Sequence, residues 1–206
     1  MKALVVAREA LEALVALPLF AVTPLLRPWH TRWGATAQEA RSAMPGDEHF
    51  PRAQFQATRA ITIDAPPSEV WPWIAQVGYG RAGFYSYDLL DGLGRPSAER
   101  IVPEFQDVKI GDWVPMSPTV NDTTAFKVDS FEAPASLLWR KPDSTWSWRL
   151  DPAGSGTRLV TRVRVVYDWR KPGMALFSVF LIEFGDFAMM RRMLKGIRRR
   201  AMATVG

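Results

Sequence analysis

The chain contains no cysteine among its 206 residues. That excludes a disulfide framework, a thiolate metal site and a cysteine nucleophile, and it is in keeping with a cytoplasmic setting. Histidine is nearly missing as well: there are 2, His30 and His49, both in the N-terminal quarter. Nitrogen ligands for a metal are therefore short, and no His lies near Ser86 in sequence. Acidic residues are missing from the C-terminal end. The last is Asp186, after which come Arg191, Arg192, Lys195, Arg198, Arg199 and Arg200. Setting those six aside leaves 20 of the 26 Lys and Arg residues against 21 Asp and Glu. The net charge of +5 thus belongs to one stretch of chain and says little about nucleic acid. No internal repeat or low-complexity tract is present. The 48% hydrophobic content is too apolar for disorder.

A long uninterrupted apolar run is also lacking. Residues 10–26, ALEALVALPLFAVTPLL, come nearest, but Arg8, Glu9 and Glu12 break the front and Pro18 and Pro24 the back. A spanning helix needs about 20 mostly apolar residues. For residues 1–28 three readings stay open: a helix packed on the domain or a partner, a membrane-surface or marginally spanning anchor, and a cleaved signal that lacks a convincing small-residue cleavage site. Residues 29–56 read as a connector on the surface of the body, which occupies 57–206.

In the body, what is present is orderly. Ile61 and Ile63 share one face of a strand that Arg59 precedes. Pro66-Pro67-Ser68-Glu69 opens a helix carrying Val70, Trp71, Ile74 and Val77, ended by Gly78. From Thr124 to Tyr167 the pattern alternates: Phe126 and Val128; Leu137 and Trp139; Trp146, Trp148 and Leu150; then Leu159, Thr161, Val163 and Val165 against Arg158, Arg162 and Arg164. Short turns between such strands demand antiparallel pairing, here with one apolar face and one wet, basic face. A helix from about Gly173 to Ala203 closes the chain, its first half apolar all round and expected to be buried, its second half amphipathic. The order strand, helix, irregular middle, meander, long helix predicts an α+β helix-grip fold, a curved antiparallel sheet wrapped around the terminal helix. Between them would lie a site for a small apolar ligand, walled by Phe126, Trp139, Trp146, Trp148 and Phe180.

At this point the sequence resembles the START-like, or SRPBCC, superfamily, which includes birch-pollen-allergen-like proteins and polyketide cyclase/dehydrase-like proteins. The segments that carry the resemblance are TRAITIDAPPSEVWPWIAQVG (58–78), GRAGFYSYDLLDGLG (80–94), ERIVPEFQDVKIGD (99–112) and FAMMRRMLKGIRRRA (187–201). They point to an uncharacterised bacterial subgroup. The resemblance spans about 29–203 and implies a seven-stranded sheet gripping a C-terminal helix, with the missing strand or strands in 101–118. It implies functions ranging from passive binding to cyclisation, without catalytic residues that carry over.

Several clusters can be weighed on their own chemistry. Gly78, Gly80 and Gly83 match G-x-G-x-x-G, but a helix precedes them where a dinucleotide site needs a strand, so a flexible helix-to-loop joint is expected. Phe84-Tyr85-Ser86-Tyr87-Asp88 is the densest polar–aromatic group. It is either a rigid loop that satisfies buried backbone groups or the polar end of the pocket, where Tyr85, Tyr87 or Asp88 could polarise a carbonyl. Glu104 and Asp107 are expected in ion pairs with Arg81, Arg95 or Arg100, not on a metal. Glu183 and Asp186 interrupt an apolar helix, where a carboxylate is costly unless paired. One is expected to face the cavity or an Arg, and Glu183, between Ile182 and Phe184, is the more conspicuous; the alternative is a surface-facing or ion-paired carboxylate. The ligand-lining set is then Trp71, Phe84, Tyr85, Tyr87, Phe126, Trp139, Trp146, Trp148, Phe180 and Phe184. The weak catalytic candidates are Tyr85, Tyr87, Asp88 and Glu183, with no metal or cofactor. Three functions follow: binding or transport of a lipid, isoprenoid or polyketide; a cyclase or dehydratase acting on one; or a membrane-associated interaction domain using residues 1–28 and the basic C-terminal helix. No stacking platform for nucleic acid is present.

Overall fold

The computed structural model describes Leu11, residues 23–170 and residues 172–205. Most of the apolar N-terminal segment therefore lies outside the described residues. Six antiparallel strands form one sheet in the order β1-β6-β5-β4-β3-β2. They are β1 (Phe55–Ile63), β2 (Trp113–Pro115), β3 (Ala125–Glu132), β4 (Ser136–Lys141), β5 (Ser144–Ala153) and β6 (Gly156–Val165). The two longest, β5 and β6, are joined by the turn at Gly154 and stay in register from Ser144↔Val165 to Ala153↔Gly156. The first strand returns to the far side of β6, pairing Phe55↔Val165 through Ile63↔Thr157. In the 101–118 region only the three-residue β2 is extended. Residues 103–105 form a 3-10 turn instead, so six strands stand where the resemblance implies seven.

The longer helices cover one face, and a short one lies on the other. α1 (Ala37–Arg41) is short and capped at Thr36, whose hydroxyl accepts from the Glu39 amide while the Glu39 carboxylate accepts from the Thr36 amide. α2 (Pro67–Ala75) begins on Pro67, as the sequence pattern requires. The C-terminal helix is not continuous. α3 (Pro172–Phe180) passes into a π-helical stretch (Leu181–Asp186) before α4 (Phe187–Val205). The extra residue per turn in a π stretch rotates the faces before and after it relative to one another. Val179 and Ile182 pack on the core, whereas Leu176 and Phe177 face outward. The first half of the helix is thus not buried all round. α4 buries Met190, Met193, Leu194, Ile197 and Ala201, residues at helical spacing. Gly196 lets α4 press against the Tyr85 carbonyl, which a Cβ there would hit.

The basic face of the meander is not wet. Residues 34–50 lie across it and seal it. Arg162 spends its donors on this segment and on β1: Nε to Thr58 Oγ1 (2.8 Å), Nη1 to Ser42 O and Asp47 Oδ2 (3.0 and 2.5 Å), and Nη2 to Glu39 O and Ala40 O (3.0 and 3.1 Å). Arg158 grips the Glu39 carboxylate with both Nε and Nη2, at 2.7 and 2.9 Å, and Arg164 meets Asp47 at 3.0 Å. The Arg158 contact holds the Glu39 carboxyl down at about 2. The free edge of β1 is closed too, because the Thr58 and Ala60 amides donate to the Thr31 and Trp33 carbonyls.

Candidate functional site

The other face of the sheet, toward the helices, holds the site. Strand alternation aims Trp139 of β4 and Trp146 and Trp148 of β5 the same way, beside Phe126 of β3. Trp139 and Trp146 meet edge to face at 5.2 Å, Trp139 and Trp148 at 5.6 Å, and Phe126 and Trp146 at 6.0 Å. Four of the aromatics expected from the sequence thus form one wall. All four are buried.

The polar atoms of that wall divide sharply. Trp146 Nε1 donates to Thr161 Oγ1 at 2.9 Å, and Thr161 passes its own proton to the Ser147 carbonyl at 3.0 Å. Among the described residues, the indole N–H groups of Trp139 and Trp148 have no partner, nor has that of Trp73 on α2. All three side chains are at most 2% exposed. The edge-to-face rings offer one another N–H···π contacts at best, weaker than a conventional hydrogen bond. A buried unmet donor costs about 1–3 kcal/mol.

One row of the sheet links this wall to a charged cluster. Arg59 pairs with Thr161, Thr161 with Trp148, and Trp148 with Leu137. At about 4.8 Å per strand, Arg59 sits roughly 10 Å across from Trp148. Arg59 has the same parity as Ile61 and Ile63, so it points inward, and it is 1% exposed. Its charge is met by Asp186, the last residue of the π stretch, at 2.6 Å. Its Nε donates to the His30 carbonyl at 2.8 Å, and its Nη2 lies 3.4 Å from His30 Nδ1. Because guanidinium can only donate, Nδ1 is the bare nitrogen and the imidazole proton sits on Nε2. Nε2 is buried and has no partner among the described residues. Burial, reinforced by Arg59 and only partly offset by Asp186, lowers the His30 pKa to about 4, so the ring is neutral at pH 7. The unmet atoms of the three tryptophans and His30 are therefore all donors. Chemically, these groups can donate hydrogen bonds to acceptor oxygens.

The remaining sequence candidates are placed elsewhere. The Tyr85 hydroxyl donates to the Trp73 carbonyl (3.0 Å) and accepts from Gln76 Nε2 (2.9 Å). Burial pushes its pKa up. Asp88 takes both the Ser97 amide (3.0 Å) and hydroxyl (2.5 Å), and Ser97 in turn accepts from the Tyr85 amide (2.9 Å). These groups frame a loop whose Tyr85 has φ 57°. Tyr87 lies under Arg192, 4.4 Å from its guanidinium carbon. Phe84 borders a separate cleft of about 200 Å³ between the glycine loop and Gly92–Pro96. Trp71 meets Phe131 at 6.3 Å. The side chains of Phe180, Glu183 and Phe184 lie outside the described residues. Gly78 and Gly83 exchange both amide hydrogen bonds at 3.1 Å, a tight bridge where a flexible joint was expected. Asp107 pairs with Lys109 at 2.8 Å, not with the expected arginines. His30, Arg59 and Asp186 were not grouped by sequence reasoning. The signal for Arg59 was there, an arginine on the apolar parity of a strand.

No protein-family model matches the sequence, and no curated protein matches it. Solved structures of similar shape do exist. The Polyketide_cyc-like protein Cgl2372 from Corynebacterium glutamicum is 13% identical over 73% of this chain and 93% of its own, with a TM-score of 0.47. Protein Ms6760 from Mycobacterium smegmatis is 13% identical over 72% and 92%, with a TM-score of 0.45. CalU16 from Micromonospora echinospora is 17% identical over 73% and 88%, with a TM-score of 0.34. The chain's own strand order and C-terminal helix make it an α+β helix-grip fold, as the sequence order predicts.

Proposed function

We propose that this domain binds a small, largely apolar molecule carrying acceptor oxygens, held between the tryptophan wall and the helices. One observation supports the reading above others: the buried indole N–H groups of Trp139 and Trp148 lack partners among the described residues, while Trp146 between them in the same wall is satisfied from within the protein. A carbonyl, ether or hydroxyl oxygen would meet these donors, and the rings would cover the apolar remainder. Of lipid, isoprenoid and polyketide cargo, the oxygen-rich polyketide type suits a donor-only interior best, and a plain hydrocarbon suits it least.

The test is native mass spectrometry of the protein purified from its source organism, followed by organic extraction and elemental formula of any adduct. A discrete oxygen-containing apolar adduct is expected. An oxygen-free hydrocarbon, or protein that emerges with nothing bound, contradicts the proposal.

A second reading, turnover of that ligand by a cyclase-type reaction, draws on neutral His30, whose Nε2–H is available to hydrogen-bond a carbonyl oxygen. His30→Gln should then abolish turnover of the extracted molecule while the molecule still co-purifies. Unchanged turnover removes the reading.

A further inference from the structure

The fold brings three separated segments to one end of the molecule, and all three present large apolar side chains to solvent. The turn Thr23–Leu26 runs alongside the π stretch, and Trp29 follows it, its ring 5.1 Å from that of Phe187 at the start of α4. α3 leads directly into the same π stretch. Arg27 donates to the Gln54 carbonyl at 3.2 Å, and the Gln54 side chain accepts from the Tyr167 amide at 2.6 Å. That places Tyr167 and its ring neighbour Trp169 at this end as well. Leu25, Trp29, Trp169, Leu176 and Phe177 are between 52% and 82% exposed, and Leu26 is 40% exposed. Six of the fourteen exposed large apolar side chains among the described residues gather here. A soluble surface does not need such a gathering, because single exposed leucines are ordinary but contiguous apolar patches mark contacts.

We propose that this end seats on the surface of an anionic lipid bilayer. Two tryptophans are the residue type that settles at the headgroup level, and leucine and phenylalanine supply the shallow apolar insertion. Arg32 and Arg52 are exposed on the same segments or beside them, and so is Arg170, which meets Asp168 at 3.0 Å. The sequence carries the patch onward, since the apolar run 10–26 enters the described domain at Leu25 and Leu26. No helix of the described residues is long and apolar enough to cross a membrane. The basic C-terminal stretch is not its main source of charge. Arg192 is tied to the Ser86 carbonyl at 2.9 Å, and Arg200 to the Ala98 carbonyl at 2.8 Å and Glu99 at 2.6 Å. Arg198 lies roughly 16 Å along the helix axis from Phe187, at 1.5 Å per residue.

The experiment is co-sedimentation of the full chain with vesicles of phosphatidylcholine, with and without phosphatidylserine. Two double variants lower the net charge equally: L176E/F177E within the patch and K195Q/R198Q at the far end of α4. All four positions are solvent-facing or partly so, and thermal melting checks that each variant folds. We expect binding to the phosphatidylserine vesicles that weakens with salt, at least a tenfold loss in L176E/F177E and less than a threefold loss in K195Q/R198Q. Equal losses in the two variants, or no vesicle binding by the parent chain, overturn the proposal. So does a dimer in light scattering that L176E/F177E dissociates, for then a second copy covers the patch. These readouts are independent of the interior ligand, which is assayed on vesicle-free protein.

Discussion

The two faces of the one sheet treat their polar groups in opposite ways. On the outer face, Arg158, Arg162 and Arg164 meet carboxylates and carbonyls of the segment 34–50 at nearly every donor. On the inner face, two of three wall tryptophans and His30 hold buried donors with no partner among the described residues. Both faces are buried, so burial alone does not explain the difference. A face built for stability closes its hydrogen bonds within the chain, and the outer face does so. A face that leaves donors open, at a cost of about 1–3 kcal/mol each, has them for something else.

Substitutions on each face sharpen this contrast. The largest effect belongs to the outer face: Arg162→Ala leaves Asp47 and several carbonyls unmet in a sealed layer, and chemical denaturation should show a loss of about 4 kcal/mol. Arg59→Met on the inner face strands the Asp186 carboxylate and should cost about 3 kcal/mol. Adding Asp186→Leu should restore most of that loss, because the pair's own desolvation cost disappears with it.

His30 gives a smaller effect with a pH signature. Its folded pKa of about 4 lies below its unfolded value of 6.5, so the unfolded chain takes up the proton first on acidification. Stability should therefore fall as pH drops from about 6.5 toward 4, by about 2 kcal/mol, and His30→Gln should flatten that slope in denaturation series across the window. Glu39 on the outer face behaves as its counterpart at lower pH. Its carboxyl is depressed from 4.5 to about 2, so its contribution is full above 4.5 and is lost progressively as pH falls from there through about 2.

Smaller still is the loss expected from removing one open donor. Trp148→Phe should lower occupancy by the co-purifying ligand about tenfold, worth about 1.4 kcal/mol, as read by native mass spectrometry. Tyr85→Phe should leave occupancy alone and lower stability by about 1 kcal/mol, because its hydroxyl serves Trp73 and Gln76 inside the protein.

Much of this was legible beforehand, for identifiable reasons. The period-two alternation in β5 and β6 was long enough to give strands, pairing and the inward set Trp146, Trp148 and Leu150. The wall of Phe126, Trp139, Trp146 and Trp148 followed from parity alone. The sealed outer face was not legible, since an arginine row reads as solvated until the acceptors of Glu39 and Asp47 arrive from more than a hundred residues away. The π stretch was hidden for a related reason: Leu181–Asp186 keeps a helical composition, and the break shows only in how the faces on either side rotate. His30 and Asp186 lie at opposite ends of the chain; a carboxylate in the apolar helix was expected to meet the cavity or an Arg, but its partner Arg59, on the apolar parity of β1, and His30 were not linked to it. Open donors cannot be read from any sequence, because an unmet hydrogen bond is a property of the finished packing.

The central claim is that the inner donors await a ligand's acceptors. It is tested most directly by nitrogen–proton correlation spectra of the indole N–H groups, assigned by single Trp→Phe variants, before and after organic extraction of the protein purified from its source organism. The account predicts that the Trp139 and Trp148 signals shift on extraction while that of Trp146, bonded to Thr161, stays in place. Indole signals that all stay in place would contradict it.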